Sequence, residues 1–229
     1  MRVLVEAAVE SVAGAVAAGS AGAGRLELCA GLAEGGVTPS AGLVRAVRRR
    51  VELPLQVLLR PRPGDFVYDD GDVDAMLTDI HDLKLAGADG VVLGALTAEG
   101  AVDRELVARL AARARPLAVS FHRAIDQVAD LGAAVATLAE LGIGRVLTSG
   151  GAPTALAGAD TLRRLVRQFG ATVTILAGGG VRADHAARLV QLTGVREVHL
   201  GPCLPNGAGL DVAALEAVIR ALTTPETRT

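Results

Sequence analysis

Residues 85–92 read LAGADGVV, and residues 141–147 read LGIGRVL. Both stretches are typical of a helix end, a glycine turn and a short buried strand, because glycine commonly ends helices and β-branched residues favour strands. Outward from these two points, short apolar runs alternate with longer helical patterns along the chain. This alternation predicts repeated βα units and therefore a parallel sheet.

The chain divides into eight such units without an intervening linker. The predicted strands cover residues 3–7, 25–29, 55–60, 90–93, 117–122, 145–148, 172–177 and 197–200. The predicted helices cover residues 11–18, 40–50, 72–86, 103–115, 130–141, 159–169, 182–192 and 211–222. Eight units in 229 residues favour closure into a single (β/α)8 TIM barrel over residues 1–229, with a doubly wound sheet as the alternative.

Composition and charge exclude several classes of protein. The chain is 51% hydrophobic with a formal net charge of −2, so it has no general attraction to nucleic acid or to an anionic membrane. The uncharged stretch at residues 11–24 is too short to span a bilayer. Two cysteines, Cys29 and Cys203, cannot form a disulfide framework, and they suit a reducing compartment. We therefore expect a cytoplasmic protein without membrane or nucleic-acid partners.

Ionisable residues interrupt the apolar strands close to their C-terminal ends. Because side chains alternate along a strand, the apolar positions can face the helices and the polar positions the barrel interior. On this basis five side chains are expected to converge at the top of the barrel: Glu6, Glu27, Arg60, His122 and His199. TIM barrels carry their active sites at this face. The cluster predicts a catalytic or ligand site, and a salt-bridge network that closes the barrel is the alternative.

The sequence His122-Arg123, followed by Asp126, comes at the end of the fifth strand. In one arrangement Asp126 or a glutamate orients His122, and the imidazole is then available as an acid, a base or a ligand. In the other arrangement Arg123 and Asp126 pair with each other and cap the next helix. The spacing alone does not separate these two possibilities.

Two glycine turns and one long loop on the same face are candidates for anion binding. The turns follow strands six and seven and consist of Thr148, Ser149 and Gly150 and of Gly178, Gly179 and Gly180. Backbone N–H groups exposed in such turns bind phosphate or carboxylate groups, although glycine also serves simple tight turns. The loop at residues 61–71 adds Arg62 and Asp65 beside Arg60. We expect a phosphate or carboxylate ligand here.

Six motifs, in order along the chain, resemble those of the CutC-type copper homeostasis family. They are RLELCAGLAEGGVTPS at residues 25–40, LRPRPGDFVYDD at 59–70, GADGVVLGALTAEGAV at 87–102, FHRAID at 121–126, RVLTSG at 145–150 and AGGGVR at 177–182. Each motif alone is modest, and the ordered set is specific. The resemblance implies a (β/α)8 barrel in the cytoplasm, self-association into a homo-oligomer, and a proposed role in copper tolerance through Cu(I) binding.

The chain departs from the family pattern at two places. Family members with a thiolate copper site carry a cysteine on strand one, and Ala8 stands at that position here. Cys29 matches the cysteine of strand two and is the metal ligand that the resemblance implies. Cu(I) favours soft sulfur ligands, so a lone cysteine makes a weak site. The segment after strand eight, from His199 through residues 201–209, is also shorter than in the family.

Three functions remain open from the sequence. The first is a copper homeostasis protein that binds Cu(I) through Cys29. The second is an enzyme for a small anionic or phosphorylated substrate, with His122 as acid or base, the glutamates as its partners and Arg60 as the anion clamp. The third is a binding module without catalysis.

Two features of the sequence narrow the range of reactions that the enzyme hypothesis allows. The only lysine, Lys84, lies in a predicted outer helix, which argues against a Schiff-base aldolase. The triple glycine follows strand seven rather than the first strand, and no Walker or dinucleotide fingerprint occurs. We therefore expect no nucleotide cofactor.

Overall fold

Each predicted βα unit folds as a strand followed by a helix in the computed structural model, which describes residues 3–201 and 209–223. The strands are β1 (Leu4–Val9), β2 (Arg25–Leu28), β3 (Leu55–Leu58), β4 (Gly90–Leu93), β5 (Ala118–Phe121), β6 (Arg145–Thr148), β7 (Thr174–Gly178) and β8 (Glu197–Leu200). The helices are α1 (Val12–Ser20), α2 (Ala41–Arg48), α3 (Asp70–Ala86), α4 (Arg104–Ala114), α5 (Leu131–Glu140), α6 (Ala159–Phe169), α7 (Ala186–Thr193) and α8 (Val212–Thr223).

The strands pair in parallel and in sequence order, and β8 pairs with β1. The sheet is therefore a closed eight-stranded barrel with its helices outside. The predicted (β/α)8 fold is confirmed, and the doubly wound alternative is wrong because an open sheet would leave β1 and β8 unpaired with each other.

The strand ends differ from the prediction at the C-terminal rim. β1 continues to Val9 rather than ending at residue 7, because its last two residues still pair with β2. β3 ends at Leu58 and β5 at Phe121, so Arg60 and His122 lie just beyond the strands. These two side chains thus belong to the loops that form the mouth of the barrel.

Side chains alternate between two environments along β2. Leu26 and Leu28 join the large apolar layer between strands and helices. Arg25 and Glu27 are buried on the opposite side of the strand. A second, small apolar cluster consists of Ala8, Cys29, Leu32, Leu58 and Val92. The barrel interior therefore has a charged layer at the level of Arg25 and Glu27 and a partly apolar layer nearer the mouth.

Side-chain caps fix where several helices begin. Asp103 accepts a hydrogen bond from the backbone N–H of Leu106 at 2.9 Å, and Asp211 accepts one from Ala214 at 3.0 Å. Two short 3₁₀ helices that the pattern does not predict, Leu32–Glu34 and Arg123–Gln127, follow β2 and β5. None of the helices described is long and apolar enough to cross a membrane.

Candidate active site

A layer of ion pairs fills the barrel below the mouth. Arg25 donates from Nε to Glu6 and pairs through Nη2 with Glu197 at 2.5 Å. Arg145 also pairs with Glu197, at 2.8 Å between Nε and Oε2. Burial of a charge is unfavourable unless it is paired, and here each carboxylate faces a guanidinium. A salt-bridge network was the alternative that the sequence left open for the whole five-residue cluster, and of those five residues Glu6 belongs to this layer.

Glu6 and Glu27 have opposite electrostatic environments although both contact His199. The Nδ1 atom of His199 lies 2.8 Å from Glu6 Oε1 and 3.6 Å from Glu27 Oε2. Burial alone would raise the pKa of Glu6, but the hydrogen bond and charge of His199 and the charge of Arg25 lower it to about 2. Glu6 is therefore ionised at neutral pH.

Burial raises the pKa of Glu27 to about 7, and the positive charge of His199 only partly opposes this effect. The negative charge of Glu6 raises the pKa further. For His199, burial lowers the pKa, but the hydrogen bond to Glu6 and the charges of both glutamates raise it overall. The result is a carboxyl group that can gain or lose a proton near neutral pH, beside an imidazole whose pKa is raised above its usual value.

His122 is a neutral imidazole with one free nitrogen. Its Nδ1 accepts a hydrogen bond from the backbone N–H of Ala124 at 3.1 Å, which places the ring proton on Nε2. Burial, and next the charge of Arg60, lower the pKa of His122 to about 3. A methyl group at Gly94 would lie 2.2 Å from Cε1 of the ring, so this position requires glycine. Of the two arrangements that the sequence left open, the structure has the Arg123–Asp126 pair, and the backbone of Ala124 rather than Asp126 or a glutamate orients His122.

Arg60 is held by the backbone of two loops. Its Nη1 donates to the carbonyl oxygens of Gly35 at 3.2 Å and Gly36 at 3.0 Å, and its Nη2 donates to that of Gly64 at 2.7 Å. The guanidinium carbon lies 4.8 Å from the ring centroid of Phe66. The predicted anion clamp therefore lacks its Nη fork, because carbonyl oxygens already occupy those donors.

The turn after β6 folds around a carboxylate of the protein itself. Asp126 accepts hydrogen bonds from the backbone N–H groups of Ser149 and Gly151 and from the hydroxyl of Thr148. It also pairs with Arg123 at 2.8 Å. The predicted external anion at residues 148–150 is therefore contradicted, since Asp126 takes the place that the anion would occupy.

The turn after β7 and the loop after β3 are arranged differently. Gly179 and Gly180 have φ angles of 106° and 66° and form part of the cavity wall at the mouth. A methyl group at Gly178 would lie 3.2 Å from Cβ of His199, so the strand end packs tightly against that residue. Arg62 pairs with Asp65 and Asp72 and lies outside the cavity wall. Arg62 and Asp65 were predicted to contact a ligand, but in the structure they pair with each other instead.

The mouth encloses a cavity of about 370 Å³. Its polar wall includes Glu27, Arg60, His122, Arg123 and His199. The apolar part of the wall includes Ala8, Cys29, Leu32 and Leu58 from the small cluster, together with Phe66. The structure therefore brings together the predicted cluster except for Glu6, which lies in the layer below.

Sequence reasoning missed Phe66 as a site residue. Its ring lies 4.9 Å from the ring of His122 and packs against Arg60. The available signal was compositional, because Phe66 is one of only three phenylalanines and lies in the long loop at the functional face. The carbonyl ligands of Arg60 had no such signal.

The residues around Cys29 do not fit a thiolate copper site. Burial, and next the charges of Glu27, Glu6 and Glu10, raise the pKa of the Cys29 thiol well above its usual value. Ala8 supplies no second sulfur, and Cys203 lies outside the described residues. Cu(I) prefers soft, deprotonated sulfur ligands, so this buried thiol is a poor ligand as it stands.

A second group of potential ligand atoms belongs to Glu6, Glu27 and His199, which lie within 4.8 Å of one another. Oxygen and imidazole ligands suit divalent ions better than Cu(I). However, Glu6 is engaged by Arg25, and the Nδ1 atom of His199 is bound to Glu6. The trio is therefore better described as a group of paired charges.

Known proteins share both this sequence and this barrel. Residues 3–203 match the CutC family. The copper homeostasis protein cutC homologs of Mus musculus and Homo sapiens are 47% and 46% identical over 207 residues, which cover 90% of this chain and 76% of each relative.

Solved structures agree with these matches. A CutC structure from Streptococcus agalactiae has a TM-score of 0.82 at 30% identity and covers 86% of this chain and 97% of that one. Thiamine phosphate pyrophosphorylase from Pyrococcus furiosus has a TM-score of 0.64 at 16% identity over 96% of this chain and 95% of its own, which shows the fold alone. The chain therefore belongs to the CutC family.

Proposed function

We propose that this chain is an enzyme that binds a small anionic or strongly polar molecule in the barrel mouth and exchanges a proton with it through Glu27. One observation carries the proposal: Glu27 is buried in the cavity wall with a pKa of about 7. A carboxyl group with this pKa is an efficient general acid or base at neutral pH. A structural carboxylate would gain nothing from such an environment, because burial destabilises its ionised form.

The neighbours of Glu27 support a division of roles. Glu6 stays ionised and holds His199 through Nδ1. The pKa of His199 is raised, and its Nδ1 atom lies 3.6 Å from Glu27, so the protonated ring stabilises the Glu27 carboxylate when that carboxylate forms. Two ionisable groups with separated pKa values are the arrangement expected of acid–base catalysis. Arg60 and Arg123 add positive charge to the cavity wall, which favours an anionic ligand.

Copper binding at Cys29 is the second candidate function. Relatives of this chain are named copper homeostasis proteins, and Cys29 lies in the cavity wall with its sulfur 4.0 Å from the carbonyl oxygen of Glu27. Cu(I) would displace the thiol proton, so its affinity would rise with pH. The resemblance also supports a cytoplasmic location and a homo-oligomer for this chain.

The enzyme proposal is tested with a panel of small hydroxy- and oxo-carboxylates and sugar phosphates. Thermal unfolding measures binding, and ¹H NMR measures turnover. We expect at least one class to stabilise and be converted by the wild type, whereas Glu27→Gln should bind it but convert it about 100-fold more slowly.

Glu140→Gln is the matched control, because Glu140 is an exposed glutamate whose side chain pairs with Arg104 on the outer surface. It should behave as the wild type. Full activity of Glu27→Gln, or no binding to the wild type by any member of the panel, would contradict the proposal.

The copper candidate is tested by anaerobic titration of Cu(I) against a competing chelator. Wild type, Cys29→Ser and the matched control Cys203→Ser are compared at two pH values. Tight binding that Cys29→Ser abolishes and Cys203→Ser retains would support copper binding at Cys29. Equal affinity in all three proteins would exclude it.

A further inference from the structure

Three consecutive backbone N–H groups in the turn after β7 have no hydrogen-bond acceptor among residues 3–201 and 209–223. They belong to Gly179, Gly180 and Val181, and all three residues line the cavity at the mouth. By contrast, the N–H groups of Ser149 and Gly151 in the turn after β6 donate to a carboxylate of the protein. Backbone donors in a cavity wall are normally paired, so the turn after β7 points to a ligand that accepts hydrogen bonds.

A neighbouring loop fixes the direction of the middle donor. The N–H of Ala155 donates to the carbonyl oxygen of Gly179 at 2.9 Å, and Ala155 is buried in the apolar layer between strands and helices. The peptide bond between Gly179 and Gly180 is trans, so its N–H points opposite to its carbonyl group. The N–H of Gly180 therefore points away from that layer, and Gly180 is exposed, so a ligand in the mouth can reach it.

Arg123 brings a positive charge to the same turn. A methyl group at Gly179 would lie 3.4 Å from Cζ and 3.6 Å from Nη1 of Arg123, so the guanidinium lies directly against this glycine. Its Nε donates to Asp126 and its Nη2 donates to Ser149. Nη1 forms no hydrogen bond with the described part of the chain, and 46% of the side chain is exposed. A ligand at the turn can therefore also accept a hydrogen bond from Arg123.

The charges around the cavity favour an anion at this turn. Among the described residues of the wall only Glu27 has a carboxyl group, whereas Arg60, Arg123 and His199 are basic. Asp126 offsets part of the charge of Arg123, but it also accepts hydrogen bonds from the turn after β6. The positive charge of the wall is therefore only partly neutralised by the protein itself.

We propose that residues 179–181 and Arg123 bind the phosphate group of a small phosphate monoester. This inference rests on the part of the proposed function that has an anionic molecule bound in the mouth, and it adds the substrate class. A phosphate dianion has three terminal oxygens in a tetrahedral array, so it can accept from several N–H groups and a guanidinium together. A carboxylate has two oxygens in one plane and leaves part of these donors unpaired. The cavity of about 370 Å³ has room for the rest of a small ester.

The first test compares glycerol 1-phosphate with glycerate, which has the same three-carbon chain and ends in a carboxylate. Calorimetry is carried out at about pH 8, where the phosphate ester is a dianion. The wild type should bind the ester about tenfold or more tightly than glycerate, because the phosphate uses more of the donors. Inorganic phosphate should compete with the ester and bind more weakly, since it makes no contact with the rest of the cavity. Inorganic phosphate that binds as tightly as the ester would overturn the assignment of a monoester.

Arg123→Ala removes the guanidinium and should weaken binding of glycerol 1-phosphate about tenfold. Arg182→Ala is the matched control, because Arg182 follows the same turn, is exposed, pairs with Asp184 and lies outside the cavity wall. It should change the affinity by less than about twofold, since exposed charges are screened by solvent and salt. Equal losses in the two variants would mean that the ester is attracted by surface charge in general, and they would overturn the site.

Backbone NMR of the wild type tests the turn without a variant that could fail to fold. The amide protons of Gly179 and Gly180 should shift downfield when glycerol 1-phosphate is added, because they donate to its oxygens. Gly87 is the internal control, since it ends α3 at the opposite end of the barrel, and its amide should not shift. Unchanged resonances of Gly179 and Gly180 at saturating ester would overturn the proposed site.

The outcomes also separate this inference from the proposed function. If glycerate or another carboxylate binds and is converted through Glu27 while the phosphate ester is not preferred, the phosphate assignment is wrong and the proposed function stands. If the ester binds at the turn but Glu27→Gln converts every substrate as fast as the wild type, the phosphate site stands and the role of Glu27 is wrong. If neither these probes nor any member of the wider panel binds, both are wrong.

Discussion

Replacement of Glu27 by glutamine should change how the stability of the protein depends on pH. Glu27 has an ordinary pKa of 4.5 in the unfolded chain and about 7 in the fold. Between these values the folded state binds more protons than the unfolded state, so the free energy of unfolding falls as pH rises. The contribution of Glu27 is fully present below pH 4.5 and is lost as pH passes through about 7.

The magnitude follows from the two pKa values. Their difference corresponds to about 3 kcal/mol at roughly 1.4 kcal/mol per pKa unit, and most of it falls between about pH 5 and pH 8. Glutamine has the shape of the protonated acid but cannot ionise. Wild type should therefore lose about 2–3 kcal/mol of unfolding free energy relative to Glu27→Gln across this range.

Urea unfolding at several pH values, followed by circular dichroism, measures this difference. Glu140→Gln serves as the control, because an exposed carboxylate should give a nearly parallel pH profile. A constant difference between wild type and Glu27→Gln would refute the reasoning, since it would mean that Glu27 has the same pKa in both states. A difference of the opposite sign would mean that the fold stabilises the Glu27 carboxylate, and the proposed base would then be too weak.

Three further changes test other parts of the site. Gly94→Ala places a methyl group 2.2 Å from Cε1 of His122, so it should displace the imidazole from its hydrogen bond with Ala124, and histidine-selective ¹⁵N NMR should show a shifted His122 resonance while circular dichroism shows the barrel intact. Glu6→Gln removes the carboxylate shared by the buried Arg25 and His199, although Arg25 keeps its pair with Glu197, and urea unfolding should show a loss of about 3 kcal/mol. In a Cys203→Ser background the Cys29 thiol should react with a disulfide reagent far more slowly at about pH 8 than the same protein in urea, because its pKa is raised, and equal rates would contradict its burial.

The sequence was sufficient for the barrel because the signals for it are local. Apolar runs and glycine turns recur in every unit, and β4, β6 and β8 have the predicted bounds. The ends of β1 and β3 were wrong by two residues, at Val9 and Leu58. Those ends depend on which neighbouring strand still offers a hydrogen bond, and this pairing is a property of the closed sheet.

The sequence predicted which side chains of the site point into the barrel, but it did not predict which groups they bind. Alternation along β2 and β8 predicted that Glu27 and His199 point into the barrel, and in the structure both are buried with their side chains 3.6 Å apart. It could not predict that Asp126 would bind the turn at Ser149, 23 residues away, rather than His122. Hydrogen bonds between separate loops depend on the three-dimensional path of the chain, and no pattern of short period encodes them.

The two candidate functions place opposite demands on one environment. Burial beside apolar side chains raises the pKa values of both Glu27 and Cys29. This makes Glu27 a better base near neutral pH, but it keeps the sulfur of Cys29 protonated and therefore weakens it as a Cu(I) ligand. Proton transfer by Glu27 requires no change in the cavity. Copper binding at Cys29 requires loss of the thiol proton close to two glutamates. An ionised Glu27 would further oppose thiolate formation, so the same residue that favours catalysis works against a copper site at Cys29.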